Sequence, residues 1–297
     1  MDRPVCANEA TGCSAAAHAG LERCCAGADW LDEEAPVGGV SRLRASLQRE
    51  AYAPHRHDSY TLALTERGVQ EFDYRGGVHH SLPGQVVVLH PDERHDGRAA
   101  TAGGFSYRAL HIDPARIHAA LRDEPGDAAA LPFVAGPVID DAALVALLRQ
   151  AFEAPLGALG ADDLVHGVAL ALRRAAGGMP RGGRRALDLA ALARVRAYLD
   201  TNAMRIVSAA ELEAVSGLSR FTLFGQFKRL HGTSPYRYLL MRRLQAVRAS
   251  LPDRASLAQI AGAAGFADQA HMTRVFRAAI GITPAAYARL QRAGRGA

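Results

Sequence analysis

The spacing of apolar positions changes character along this chain. Between residues 40 and 112 they fall in short runs cut by glycine and proline: Ser59–Glu66, Val69–Tyr74, Gln85–His90 and Phe105–Ile112, with turns at Arg75-Gly76-Gly77 and Pro83-Gly84. Such runs predict short β-strands in a small antiparallel barrel or sandwich. From Asp140 the spacing becomes helical. Leu144, Leu147 and Leu148 share one face within Asp140–Phe152, and Leu164, Val168 and Leu172 share one within Asp162–Ala176. A helix pair after the strands suits dimerisation equally with covering its own barrel. Ala176-Gly177-Gly178-Met179-Pro180-Arg181-Gly182-Gly183 then breaks the pattern and reads as a linker.

Beyond the linker one pattern occurs twice. Phe227-Lys228-x3-Gly232-x-Ser234-Pro235-x2-Tyr238 returns 49 residues later as Phe276-Arg277-x3-Gly281-x-Thr283-Pro284-x2-Tyr287. Six matched positions at fixed spacing indicate two copies of one supersecondary unit. Upstream of the first, Ser208-x-x-Glu211 is a capping box opening a short helix, Ser216-Gly217-Leu218 supplies a turn, and Ser219 caps a helix from Arg220 to Arg229 with Leu223 and Phe227 inward. The second copy repeats the plan with Ser256-x-x-Gln259, the turn Gly265-Phe266-Ala267, and Asp268 capping a helix with Met272 and Phe276 inward. Helix, glycine turn, helix is the helix-turn-helix plan, whose second helix enters the DNA major groove. A longer helix, Pro235–Leu251, carries Leu240, Leu244, Val247 and Leu251 and joins the units.

Charge divides the same way. Residues 181–297 hold 19 basic against 6 acidic residues, a net of +13, whereas residues 1–180 carry −8. A phosphate footprint therefore falls on the C-terminal part alone.

The last 110 or so residues resemble the double helix-turn-helix domain of AraC/XylS-type bacterial transcription regulators, most distinctively over Gly265–Arg277 and Gly281-Ile282-Thr283-Pro284. The resemblance implies a seven-helix domain. It also implies base-reading roles for Gln269 and Arg274, with His271 on the same face; arginine suits guanine O6/N7 and glutamine adenine N6/N7. In the first unit the matching exposed positions are Arg220, Phe221, Phe224 and Gly225, where relatives carry polar residues at the last two. Phe221 and Phe224 could meet thymine methyl groups, pack internally or pack on a partner. Arg220, Lys228 and Arg229 read as phosphate contacts or solvated surface.

Pro54-His55-Arg56-His57-Asp58-Ser59-Tyr60, Gly68, Tyr74-Arg75-Gly76, Leu82-Pro83-Gly84 and His90–His95 resemble the cupin-like effector domain that precedes this DNA-binding domain in the family. A small-molecule site inside the barrel would then use His55, His57, Tyr60, Tyr74 and His95, with Leu62 and Phe72 as further walls. His55, His57 and His95 also raise a metal-dependent cupin enzyme fused to a basic DNA-binding domain as the alternative function. Metal cupins add a glutamate shortly after the paired histidines, and Asp58–Ala63 holds none, so the sequence predicts no metal, no cofactor and no catalysis.

The expected organisation is α+β and multidomain: a poorly ordered extension over residues 1–34, a cupin-like antiparallel β-barrel with helices over 35–176, a linker over 177–186, and an all-α DNA-binding domain over 187–293. Cys6, Cys13, Cys24 and Cys25 all fall in the extension, without CxxC spacing, and read as reduced thiols in preference to a sensor. With no signal-peptide layout and no long apolar run, the chain is expected in the cytoplasm and not in a membrane. The expected partners are promoter DNA, a small-molecule effector, a second copy of the chain and RNA polymerase, with activation as one mode of action.

Overall fold

In a computed structural model of the chain, the described residues are 29–48, 50–122, 131–177, 187–252 and 255–294. The four cysteines and nearly all of the expected linker lie outside them.

The N-terminal part is two antiparallel sheets. One has the order β1 (Trp30–Glu33), β2 (Val40–Leu47), β9 (Phe105–Ile112), β4 (Tyr60–Gly68), β7 (Val86–Leu89) and β10 (Val138–Ile139). The other runs β3 (Glu50–His55), β8 (His95–Ala99), β5 (Gln70–Tyr74) and β6 (Gly77–Ser81). Of the barrel or sandwich expected, the described residues form two sheets that do not close into a barrel. β1 also falls within the stretch read as a poorly ordered extension. Its four residues pair in full register with Leu43–Ser46 of β2, a pairing that a four-residue run does not announce.

The larger sheet is buried on both faces. Along β9, Leu110 and Ile112 face one way and Phe105, Tyr107 and Ala109 the other, the period-two consequence of the pleat. The outer face meets α1 (Pro114–Leu121), α2 (Ala142–Gln150) and α3 (Ala158–Ala175), where Leu144, Leu148, Val168 and Leu172 pack on Tyr60, Leu62, Leu64, Val86 and Val88. The buried stripe of the helix pair therefore covers its own sheet. Arg42 crosses this layer, donating to the carbonyls of Ala151 and Ala154 at 2.6 and 2.7 Å.

The C-terminal part holds seven helices among the described residues: α4 (Leu189–Thr201), α5 (Ala209–Ser216), α6 (Arg220–His231), α7 (Pro235–Ser250), α8 (Leu257–Ala263), α9 (Gln269–Ile280) and α10 (Pro284–Gly294). Both capping boxes form, with Ser208 and Glu211 opening α5 and Ser256 and Gln259 opening α8. Asp268 caps α9 by accepting from the His271 amide. Ser219 precedes α6, but its hydroxyl bonds Thr222 Oγ1 instead of a backbone amide.

The two parts are docked. The second helix-turn-helix unit shares one apolar cluster with the inner faces of both sheets, Phe276, Ile282 and Tyr287 lying with Leu31, Phe72 and Tyr107. α10 packs along β1 and α9 against β3. The first unit has its own core, built on Leu192, Leu199, Leu223, Phe227 and Tyr238.

Candidate effector cavity and nucleic-acid interface

A cavity of ≈ 260 Å³ lies where the parts meet. Its apolar wall comes from Leu31, Leu43, Val87 and Leu89 of the larger sheet and Met241 and Leu244 of α7. Its polar wall is a group of histidines: His55, His57, His95 and His111.

Pleating decides which predicted residues reach it. Thr61 and Ala63 of β4 line the cavity, while Tyr60 and Leu62 point to the helix layer. Tyr60 is 1% exposed and donates to the Pro132 carbonyl at 2.8 Å. Tyr74 is also buried outside the cavity, its hydroxyl 3.0 Å from His90 Nδ1. Phe72 lies in the core beside it. Of the five residues predicted to bind effector, His55, His57 and His95 come together, and Tyr60 and Tyr74 do not join them.

The histidine group is tightly arranged. His55 and His95 are directly opposite each other on β3 and β8, their rings 4.3 Å apart, and His57 stands 4.8 Å from His95. Nδ1 of His55, His57 and His95 faces the carbonyls of Ala53, Ser59 and Glu93 at 2.8, 3.2 and 3.0 Å. A carbonyl only accepts, so each Nδ1 carries the proton and each Nε2 the lone pair. Thr61 Oγ1 bridges His57 Nε2 at 3.1 Å and His111 Nδ1 at 2.9 Å. Burial, reinforced by the neighbouring imidazoles, holds all three well below the ordinary histidine value, and burial lowers His111 to about 4. At neutral pH the group is uncharged.

Ion pairs from the second part to the first surround the cavity. Arg248 meets Glu33 at 2.6 Å, Arg242 meets Asp58 at 3.0 Å and Arg196 meets Asp113 at 2.8 Å; Arg237 meets Asp92 at 2.8 Å nearby. Tyr287 also donates to Glu33. Burial raises the Asp58 carboxyl, with Arg242 opposing. Burial disfavours the Arg248 charge, but Glu33, Tyr287 and Asp58 together hold its pKa above the ordinary value. Part of the charge asymmetry read as a phosphate footprint thus serves docking. These arginines escaped sequence reasoning, because nothing local distinguishes an arginine facing an acid 83 to 215 residues away from one facing phosphate.

Two further contacts tie the repeated glycines to the first part. Gly281 ends α9 at φ +85° and Gly232 ends α6 at φ +71°, the left-handed region that glycine tolerates. A Cβ on Gly281 would lie 3.0 Å from His55 Nδ1 and from Tyr52 Cβ; one on Gly232 would lie 2.5 Å from Pro91 Cβ. Beside Gly281, Ala53 N–H donates to the Gly281 carbonyl at 3.1 Å and Arg56 N–H to the Ala278 carbonyl at 3.3 Å.

The helix faces expected to read DNA are open. Gln269 and Arg274 on α9 and Arg220 and Lys228 on α6 are exposed. His271 is half-buried, its ring edge-on to Phe266 at 5.5 Å. Phe221 is 89% exposed, which removes internal packing as its role, whereas Phe224 leans on the first unit's core. Arg220 lies 3.7 Å from Glu213.

The family model for the AraC-like ligand binding domain matches residues 37–166, and one for a helix-turn-helix domain matches residues 212–290. The chain carries an AraC-like ligand binding domain followed by a helix-turn-helix domain. It is 30% identical over 91 residues to the probable transcriptional regulator LumQ of Photobacterium leiognathi; the match covers 30% of this chain and 37% of LumQ. The fold is that of ToxT from Vibrio cholerae, at TM-score 0.60 and 12% identity, over 88% of this chain and 98% of ToxT. ToxT bound to an unsaturated fatty acid aligns at TM-score 0.58 and 13% identity, over 88% and 94%.

Proposed function

We propose that this chain is an AraC-type transcription regulator that binds promoter DNA through α6 and α9 and responds to an amphipathic organic acid seated in the cavity between its parts. The observation that carries the reading is the position of the cavity: Val87, His57 and Tyr107 line it from one side and Met241, Arg248 and Tyr287 from the other. A ligand that touches both parts has different affinity for docked and undocked states, which is the requirement for shifting between them. The apolar wall suits a hydrocarbon body, and the arginines at its edge suit a carboxylate. ToxT, which shares the fold, has been solved with an unsaturated fatty acid and with a naphthalenyl butenoic acid, both of this chemical kind.

Gln269, Arg274 and His271 on α9, and Arg220, Phe221, Phe224 and Lys228 on α6, form the proposed DNA surface. α7 joins the units, so one chain would address two major-groove segments about one helical turn apart. Action at a promoter would involve a second copy of the chain and RNA polymerase, in the cytoplasm. No helix among the described residues is long and apolar enough to cross a membrane. Catalysis has no part in the reading.

Footprinting of the full chain on the DNA upstream of its own gene, with and without medium- and long-chain carboxylic acids, tests it. A protected region whose occupancy changes with one acid class is expected. Protection that ignores every acid would overturn the sensing role, and no protection at low salt would overturn DNA binding.

A further inference from the structure

The polar wall of the cavity has a chemistry that an organic acid does not use. One ring nitrogen from each of His55, His57 and His95 lies within 4.8 Å of the others. Each Nδ1–H is committed to a backbone carbonyl two residues away along its own chain segment. Hydrogen bonds of this kind fix the tautomer and the ring orientation of metal-binding histidines and make the opposite nitrogen a better donor. Three rings fixed alike, two on the paired strands β3 and β8 and the third two residues beyond the end of β3, are more than loop-holding histidines require.

We propose that the Nε2 atoms of His55, His57 and His95 bind one divalent transition-metal ion. An all-imidazole set selects zinc, cobalt, nickel or copper over magnesium or calcium, which prefer oxygen. Zinc–nitrogen bonds of ~2.0–2.1 Å place tetrahedral nitrogens roughly 3.4 Å apart, so closing the group takes side-chain shifts on the order of 1 Å. Coordination at His57 Nε2 replaces the Thr61 hydroxyl there. Thr61 keeps its bond to His111 Nδ1 at 2.9 Å. The missing glutamate is thus not needed: three neutral histidines suffice, and the remaining coordination positions face the cavity.

The ion would sit at the docking seam, since a Cβ on Gly281 would touch the His55 ring and β3 is hydrogen-bonded to the end of α9. Its regulatory consequence rests on the cavity being the sensing site; its binding does not.

The test uses the full chain with Cys6, Cys13, Cys24 and Cys25 changed to Ser, freed of any affinity tag and stripped with a chelator. Titration with Co²⁺ is expected to produce visible d–d absorption saturating at one ion per chain, displaced by Zn²⁺. His57→Gln and His95→Gln, which keep the volume of the ring, are expected to weaken binding at least about 10-fold, the usual scale for losing metal-site interactions. His80→Ala, on exposed β6, is expected to leave it unchanged. Zn²⁺ should also raise the melting temperature of the unsubstituted histidine site, a readout that needs no variant. Absence of d–d bands, or bands equally strong in the two glutamine variants, would overturn the proposal. Promoter binding measured on the same samples without metal separates this failure from failure of the regulator reading.

Discussion

Replacing Glu33 with alanine should loosen the seam between the two parts without disturbing either fold. Glu33 lies on β1 with its side chain 10% exposed, and accepts from both Arg248 and Tyr287. Removing one partner of a buried ion pair costs about 3–5 kcal/mol, because the remaining charge is stranded. Arg248 keeps 24% exposure, so water recovers part of the loss and about 2 kcal/mol is the better figure. At 1.4 kcal/mol per tenfold, the docking equilibrium should move about 30-fold toward the open state. Trp30, the single tryptophan, stands three residues earlier on the same strand, against which α10 packs, so its emission reports the change. Hydrogen exchange at the Ala53 and Arg56 amides, which bond α9 and its cap across the seam, provides a second reading. Glu33→Gln, which keeps an acceptor, should fall between. Glu34→Ala is the control, since Glu34 pairs with Arg42 inside the first part. If Glu33→Ala left both amides as protected as in the parent, the pair would not hold the seam and the reasoning would fail.

Arg274→Ala should cost about 1–3 kcal/mol on the cognate site and relax preference at one base pair, whereas Lys228→Ala should weaken all sequences alike; equal losses on cognate and random DNA for Arg274→Ala would mark a phosphate contact instead. Phe221→Ala should change stability by less than about 0.5 kcal/mol, since the ring is exposed, while lowering DNA affinity in an anisotropy titration; unchanged affinity would remove it from the DNA surface. His90 is lowered from 6.5 to about 4 by burial and then by Arg75, so the unfolded chain takes up its proton first. Its contribution is complete above pH 6.5 and is lost as pH falls toward 4, about 3 kcal/mol in all. Thermal melts of His90→Gln between pH 7 and 5 should show a shallower fall than the parent, and an equal fall would refute it.

Local signals carried the helical half. Capping boxes, the left-handed glycines and the apolar i, i+4 pairs such as Leu223 and Phe227 are determined within a few residues, and they appear where their spacing indicates. The strands of the first half were legible where the run was long and bounded, as at Phe105–Ile112, and missed where pairing alone makes a strand, as at β1, β3 and β8. The histidine group was found through the cupin resemblance of Pro54–Tyr60 and His90–His95, but His111 was not, since its membership depends on β9 lying beside β4. Tyr60 was assigned to the cavity because an aromatic ring suits a pocket wall; which face of β4 is inward follows only from both sheet faces being covered. The seam arginines are illegible locally for the same reason: their acids are set by tertiary contact.

The glycines that close α6 and α9 occupy the same position in the two copies of a duplicated unit, and each abuts the sensing domain, Gly232 at Pro91 and Gly281 beside His55. Both reading heads are therefore clamped at equivalent ends by one body, as two tines are held in one handle. The pitch of the fork is set by the handle as well as by the α7 crossbar. An N-terminal part exchanged between regulators would have to match two seats at once, so swapping it should succeed only between chains whose seats are spaced alike.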